Sequence, residues 1–302
     1  MAFTAKDVKE LREKTGCGMM DCKKALTASD GDMDKALDFL REKGLAAATK
    51  KAGRIAAEGV AYAVSDDKAG VILEVNAETD FVAKNASFQE FVEICAKTIL
   101  KENPADLDAL LKCKAFGKEI TVDEELKEKI YKIGENLKIR RFQRIEGVTA
   151  DYIHAGGKIA VLVGFDTDPA IAEKDEFKEY AHNVGMQIAA MNPQFLDRNS
   201  VPKDVVEHEK KIASEQAAAS GKPANVIEKM VTGKVNKTLK EICLVDQAYV
   251  KDSSLSIQKY TEQVAKELGG KITIKEFVRY EKGEGLEKRN ENFAEEIKNL
   301  VK

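Results

Sequence analysis

Residues 69–81 read AGVILEVNAETDF, and residues 157–169 read GKIAVLVGFDTDP. The two stretches run nearly in parallel. The segments after them match as well: SFQEFVEICAKTI at 87–99 answers EFKEYAHNVGMQI at 176–188, with Phe88-x-Glu90-Phe91 against Phe177-x-Glu179-Tyr180. Each copy also has a strand-like partner before it. GVAYAVS alternates from Gly59 and turns at DDKAG into AGVILEV, while VTADYIH turns at Ala155-Gly156-Gly157 into KIAVLVG. Period-two alternation bounded by turn residues reads as a β-hairpin. The chain therefore predicts two related hairpin-plus-helix subdomains, a core N-subdomain at 55–140 and a core C-subdomain at 141–281.

Before the first copy, residues 1–54 predict three short helices and a linker. Thr4-x-x-Asp7 is a capping-box-like start, Val8 and Leu11 share a face, and Gly16 is a stop. A second helix carries Cys22, Ala25 and Leu26. A third, capped by Asp32, carries Met33, Ala36, Leu37 and Leu40 and ends at Gly44, leaving AAATKKAGRIAAEG as a partly helical linker. In the first copy a helix opens at Ser87-x-x-Glu90 and stops at Asn103-Pro104; further helices begin near Asp106 and Asp123. The second copy is interrupted by residues 203–238, which predict two antiparallel helices joined at SGKPAN, a hairpin projecting from the body. ICLV and KITIKEFVRYEKG read as strands with SSLSIQKYTEQVAKELGG as a helix between them. The tail, within 282–302, places Phe293, Ile297 and Leu300 on one helical face. The fold class is α+β.

Composition narrows the function. With 302 residues, 49 basic against 52 acidic side chains and a net charge of −3, the chain lacks the basic excess expected of a broad nucleic-acid binder. Five scattered cysteines without a CxxC pair suit a reduced, intracellular protein. The charged start MAFTAKDVKELREK has no apolar signal core, and no apolar run approaches a membrane span, so a cytoplasmic location is expected. No phosphate loop, nucleophile elbow or metal-ligand spacing appears among the motifs, and the three histidines, His154, His182 and His208, are dispersed. A catalytic site cannot be assembled from these residues. The basic run KIRRFQR at 138–144 reads chiefly as arginines paired with the chain's own carboxylates.

One residue stands apart. Phe81 is a large apolar ring in the connection NAETDFVAKN, where side chains usually meet solvent. In the repeat, Thr79-Asp80-Phe81 aligns with Thr167-Asp168-Pro169. The second copy dispenses with the ring, which points away from a core-filling role and toward a functional one.

TGCGMMDCKKAL (15–26), ILEVNAETDFVAKN (72–85), KIGENLKIRR (132–141), GKPANVIEKMV (221–231) and VRYEKGEGLEK (278–288) together resemble the bacterial elongation factor Ts family, in the same order from end to end. The resemblance implies a ubiquitin-associated-like N-terminal domain, the two-subdomain core, the helical hairpin insertion and a C-terminal helical module. It implies a non-enzymatic guanine-nucleotide exchange factor for elongation factor Tu. Thr79, Asp80, Phe81 and Val82 would form the segment that displaces magnesium from the partner's nucleotide site, with Phe81 entering a cleft between partner helices. Lys23, Ile133, His154 and Val250 would make further partner contacts. Lys251 departs from the family's apolar residue, and the GGK after His154 varies on its pattern. No cofactor is implied, since GDP, GTP and magnesium belong to the partner, and neither membrane nor direct nucleic-acid binding is expected. Self-association through the hairpin is left open. The rival readings are an RNA- or ribosome-binding adapter and an enzyme with an unrecognised site.

Overall fold

The computed structural model describes residues 3–218 and 221–287. Helix α1 (Ala5–Thr15) begins in a capping box between Thr4 and Asp7 and ends at Gly16, whose φ of 65° puts it in the left-handed region that glycine adopts without a Cβ clash. Helices α2 (Met19–Ala28) and α3 (Met33–Lys51) complete a bundle around Leu11, Cys22, Ala25, Leu26 and Ala36.

The chain then passes through β1 (Glu58–Ser65), β2 (Ala69–Ala77), α4 (Asp80–Ala83), α5 (Ala86–Glu102), α6 (Leu107–Lys112), α7 (Val122–Ile133) and β3 (Lys138–Glu146). The three strands form an antiparallel sheet with β2 central. A second such sheet orders β4 (Thr149–His154), β5 (Ile159–Thr167) and β8 (Ile272–Glu281), with β5 central. Between β5 and β8 lie α8 (Pro169–Ala172), α9 (Asp175–Met191), α10 (Lys203–Ala218), α11 (Ala224–Ile242), a ribbon of β6 (Ala248–Tyr249) and β7 (Asp252–Ser256), and α12 (Ile257–Leu268). Mixed helices and small antiparallel sheets make this an α+β fold.

The repeat extends into local geometry. Each central strand leads to a four-residue helix, α4 or α8, and then to a 17-residue helix, α5 or α9. Both long helices end on an asparagine, Asn103 or Asn192, at φ 45° and ψ 55°.

Alternation along the central strands explains their nearly continuous apolar runs. Val71, Leu73 and Val75 face Phe88, Phe91 and Ile99 of α5, whereas Val161, Val163 and Phe165 face Phe177, Tyr180 and Ile188 of α9. The intervening residues meet across the two sheets, where Ala61, Ala63, Ile72, Ile145, Ala160, Leu162 and Tyr280 form one cluster. Both faces of β2 and β5 are therefore dry, in contrast to a sheet with one solvated face. The approach is close. A Cβ on Gly70 would lie 2.4 Å from Leu162 Cδ1, and one on Gly157 would lie 2.9 Å from Val60 Cβ.

Glu74 occupies the same seam and is 0 % exposed. Its carboxylate accepts from Arg140 at 3.0 Å, Arg141 Nε at 2.7 Å, Asn76 Nδ2 at 3.0 Å and the backbone N–H of Gly283 at 2.7 Å. Arg141 also lies 4.1 Å from the centre of the Tyr280 ring. Burial alone would push the Glu74 carboxyl up, but the donated bonds from Gly283, Asn76 and the two arginines hold it below the ordinary glutamate value. The basic run thus pairs with the chain's own carboxylates.

Several local expectations change. Gly44 does not stop α3, because it lies buried against α7, where a Cβ would be 3.5 Å from the Lys127 carbonyl oxygen. Close helix packing there outweighs the poor helix propensity of glycine. Asn85, not Ser87, caps α5. ICLV is no strand: Ile242 ends α11, and Leu244–Asp246 forms a 3-10 turn. Strand β3 crosses the expected boundary at 140/141 and leaves the first sheet only after Glu146. The second hairpin helix continues beyond 238 to Ile242, since Leu239 and Ile242 pack with Phe195, Val201 and Cys243 at the hairpin base. Residues 288–302, including the amphipathic pattern at Phe293, lie outside the described residues.

Glu74→Ala should cost about 3–5 kcal/mol in urea unfolding, the range for removing one partner of a buried ion pair. The Glu74 contribution is complete above the ordinary glutamate pKa of about 4.3 and is lost as pH falls through its depressed folded value. The variant should therefore lose less stability than wild type on acidification, and parallel pH profiles would refute this account of the seam. Replacing residues 208–230 by three or four Gly/Ser residues, enough to span about 10 Å between antiparallel helices, should leave the thermal transition of the rest intact. Insoluble product would show that the distal hairpin supports the core.

Candidate functional site

Phe81 sits on the first turn after β2. Thr79 adopts extended backbone and its hydroxyl accepts from Val82 N–H, starting α4. In a single turn, neighbouring side chains diverge. Val82, 9 % exposed, and Ala83 turn into the core beside α5, so Phe81 turns outward and is 79 % exposed. It is the most exposed large apolar side chain among the described residues. Asp80 is also exposed and, among the described residues, pairs with Lys84 at 3.3 Å. Of the four segment residues expected to touch a partner, Val82 is thus the inward anchor.

The base of this turn is held from across the chain. Glu135, just beyond the Gly134 cap of α7, accepts from the backbone N–H groups of Glu78 at 3.1 Å and Thr79 at 3.0 Å. Its second oxygen accepts from the Thr79 hydroxyl at 2.7 Å. Glu78 reciprocates by accepting from Asn136 N–H at 2.6 Å, and its carboxylate pairs with Arg54 at 3.4 Å. The Asn136 side chain donates to the Arg54 carbonyl at 2.8 Å and to that of Ala52 at 3.5 Å. Three segments therefore meet in one knot: the exit of the helical bundle, the Phe81 turn and the α7–β3 connection. Ile133, at the end of α7 and half-buried against the first core, belongs to the same neighbourhood.

The remaining candidates lie on other elements. Lys23 is exposed on α2, next to the exposed Met19 and Met20. That bundle packs on α7, with Tyr131 reaching its core. His154 is exposed at the tip of the β4–β5 hairpin. Its Nδ1 shares a 3.1 Å hydrogen bond with Tyr152 Oη, and the Tyr152 ring contacts His182 edge-on at 5.1 Å. Val250 is exposed in the β6–β7 turn, where its N–H donates to Gln187 at 2.9 Å. Lys251 folds back and donates to Asn183 of α9 at 2.8 Å. Among the described residues, no hydrogen bond or ion pair joins Lys23, His154 or Val250 to residues 79–82.

The thiols offer little chemistry. Burial pushes Cys17, Cys95, Cys113 and Cys243 up, which disfavours the nucleophilic thiolate. Among the described residues there is no group of three or more His, Cys, Asp or Glu side chains placed to hold a metal ion, and no helix long and apolar enough to cross a membrane.

The repeat in the sequence singles out Phe81, which is exposed, but gives no sign of the contacts made by Glu135, Asn136 and Tyr152. Glu135 and Thr79 are 56 positions apart, so no local pattern joins them. The only signal was the GEN tripeptide directly after the α7 helix.

Residues 78–284 match the family model described as Elongation factor TS. The chain is 52% identical over 300 residues to Elongation factor Ts of Clostridium novyi (strain NT), covering 97% of each chain. It is 48% identical over 305 residues to Elongation factor Ts of Syntrophotalea carbinolica, covering 100% of both. Identity to Elongation factor Ts of Clostridium perfringens (strain SM101 / Type A) is 51% over 300 residues and 98% of each chain. With one family model spanning more than half the chain and near-full-length relatives at about half identity, the chain belongs to the elongation factor Ts family.

Proposed function

We propose that the protein is a guanine-nucleotide exchange factor in translation elongation, acting by protein contact on elongation factor Tu. The observation that carries this reading is Phe81, an apolar ring displayed to solvent on a turn anchored by the buried Val82 and Ala83 and tied down at its base. In this reading the ring enters an apolar cleft between helices of the GTPase and shifts the groups that hold magnesium and phosphate, and GDP leaves faster. Asp80 supplies a charged contact beside it. Guanine nucleotide and magnesium belong to the partner, and the chain needs no cofactor of its own.

Burying a phenylalanine side chain is worth about 1.5–3 kcal/mol. That aids separation of two packed helices without accomplishing all of it. Coupling is reciprocal: a factor that weakens GDP binding by some ratio is itself bound more weakly by that ratio when GDP is present. Contacts remote from the nucleotide must therefore supply affinity. Lys23 on the bundle, Ile133 beside the knot, His154 on the second hairpin and Val250 on the ribbon are the residues to which we assign that role. Lys251, drawn back onto α9, contributes less.

The test is release of a fluorescent GDP analogue from elongation factor Tu. Wild type should accelerate it, and Phe81→Ala should slow the accelerated rate about 10- to 100-fold, the equivalent of the ring's burial. The thermal midpoint should stay near wild type because the ring is already exposed. A large fall in the midpoint would return Phe81 to the core. No acceleration by wild type would remove the exchange function.

A further inference from the structure

We propose that Glu135 is a positioning residue for Phe81: its carboxylate holds the backbone of Glu78 and Thr79 so that the ring projects at a fixed angle toward the partner. The proposal rests on the exchange reading above. The geometry behind it is a carboxylate taking three bonds, at 3.1, 3.0 and 2.7 Å, from two consecutive residues immediately before Asp80 and Phe81. Carboxylates accepting several hydrogen bonds make stronger, more directional contacts than neutral acceptors. Preorganising a turn in its bound shape spares the ordering cost at association.

The repeat supplies an internal control. Thr167 is the counterpart of Thr79, and it also precedes a four-residue helix, α8. Its hydroxyl is buried without a hydrogen-bond partner among the described residues. There Asp168 caps the helix, accepting from Ala170 N–H at 2.9 Å, and Pro169 stands where Phe81 stands. In the second copy the counterparts of Glu78 and Thr79, Asp166 and Thr167, stay paired with Thr273 and Ile272 of β8, so the ladder holds that entrance, whereas in the first copy the ladder ends at Ala77 and the Glu135 carboxylate takes its place. A side-chain clamp that leaves the turn free of the sheet accompanies the copy that displays the ring.

The knot also fixes the turn relative to the helical bundle. Asn136 and Glu78 bind Ala52 and Arg54 at the bundle's exit, and α3 packs along α7 up to the clamp. Lys23 and Phe81 are thereby carried by elements joined through residues 134–136.

Glu135→Gln keeps the side-chain shape but removes the charge and one acceptor oxygen. Two measurements test the proposal. The first is GDP-analogue release in a double-mutant cycle with Phe81→Ala, with folding of each variant checked by circular dichroism. Glu135→Gln should slow release about tenfold beside Phe81 and less than twofold in the Phe81→Ala background, because a residue acting through the ring has no effect once the ring is gone. An equal loss in both backgrounds, or no loss in either, overturns the proposal. The second measurement needs no partner: amide hydrogen exchange of the full chain. In wild type the Glu78 and Thr79 amides should exchange slowly despite lying in a connection, and residues 78–84 should exchange about tenfold faster in Glu135→Gln. Unprotected wild-type amides would show the clamp open and overturn the proposal even if the variant failed to fold. If exchange protection is as expected and wild type still fails to release GDP, the exchange reading falls and Glu135 keeps only a structural role, which also overturns the proposal.

Discussion

Two central strands, each buried on both faces, set the terms for the rest of this molecule. Strands β2 and β5 must satisfy a helix on one side and the opposite sheet on the other. The helix side takes valines, Leu73 and Phe165, and the sheet side sets Ile72 and Leu162 against glycine and alanine, so the two sheets approach closely. That is why Gly70 lies beneath Leu162, and why alanines recur at 61, 63 and 160. Glu74 is a fully buried charge admitted into this dry layer. Unpaired there it would be strongly disfavoured; with two arginines, an amide and a backbone N–H it becomes the bond that ties the first sheet to the segment following the last strand.

The same constraint determines where apolar surface can be shown. A strand buried on both faces can present residues to a partner only beyond its end, and β2 ends at Ala77, four residues before Phe81. The turn that follows is too short to be a stable helix alone. Val82 and Ala83 hold it from beneath, Thr79 caps it, and Glu135 fixes its entrance.

Much of this was legible because it depends on period and local chemistry. The repeat between 69–81 and 157–169, the hairpins at DDKAG and AGG, the caps at Thr4 and Asp32, and the outward Phe81 opposite Pro169 all follow from residues close in sequence. The errors share a different cause. Gly44 reads as a stop until α7 is seen packed against it, since tight packing favours the residue that propensity disfavours. Glu74 within VILEV gives no hint of its partners at 140, 141 and 283. The clamp was hidden for the same reason. Glu135 reads as one more carboxylate in a charged chain, and only the fold brings it against Thr79.

That distribution of legibility has a physical basis in how exchange could work here. A side chain that enters a partner must be exposed in the free protein, so it disrupts the local pattern and can be noticed. The groups that aim it are satisfied within the chain and look ordinary in sequence. Phe81 alone, on a loose turn, would lose part of the gain from its burial to the cost of ordering the turn. In the proposed reading, a turn fixed beforehand leaves more of that gain to act on the partner. Reciprocity then limits how tightly the ring should bind: a wedge that held the GDP-bound partner as strongly as the nucleotide-free one would produce no exchange. A rigidly aimed but small apolar contact, with affinity supplied from other elements, fits both requirements.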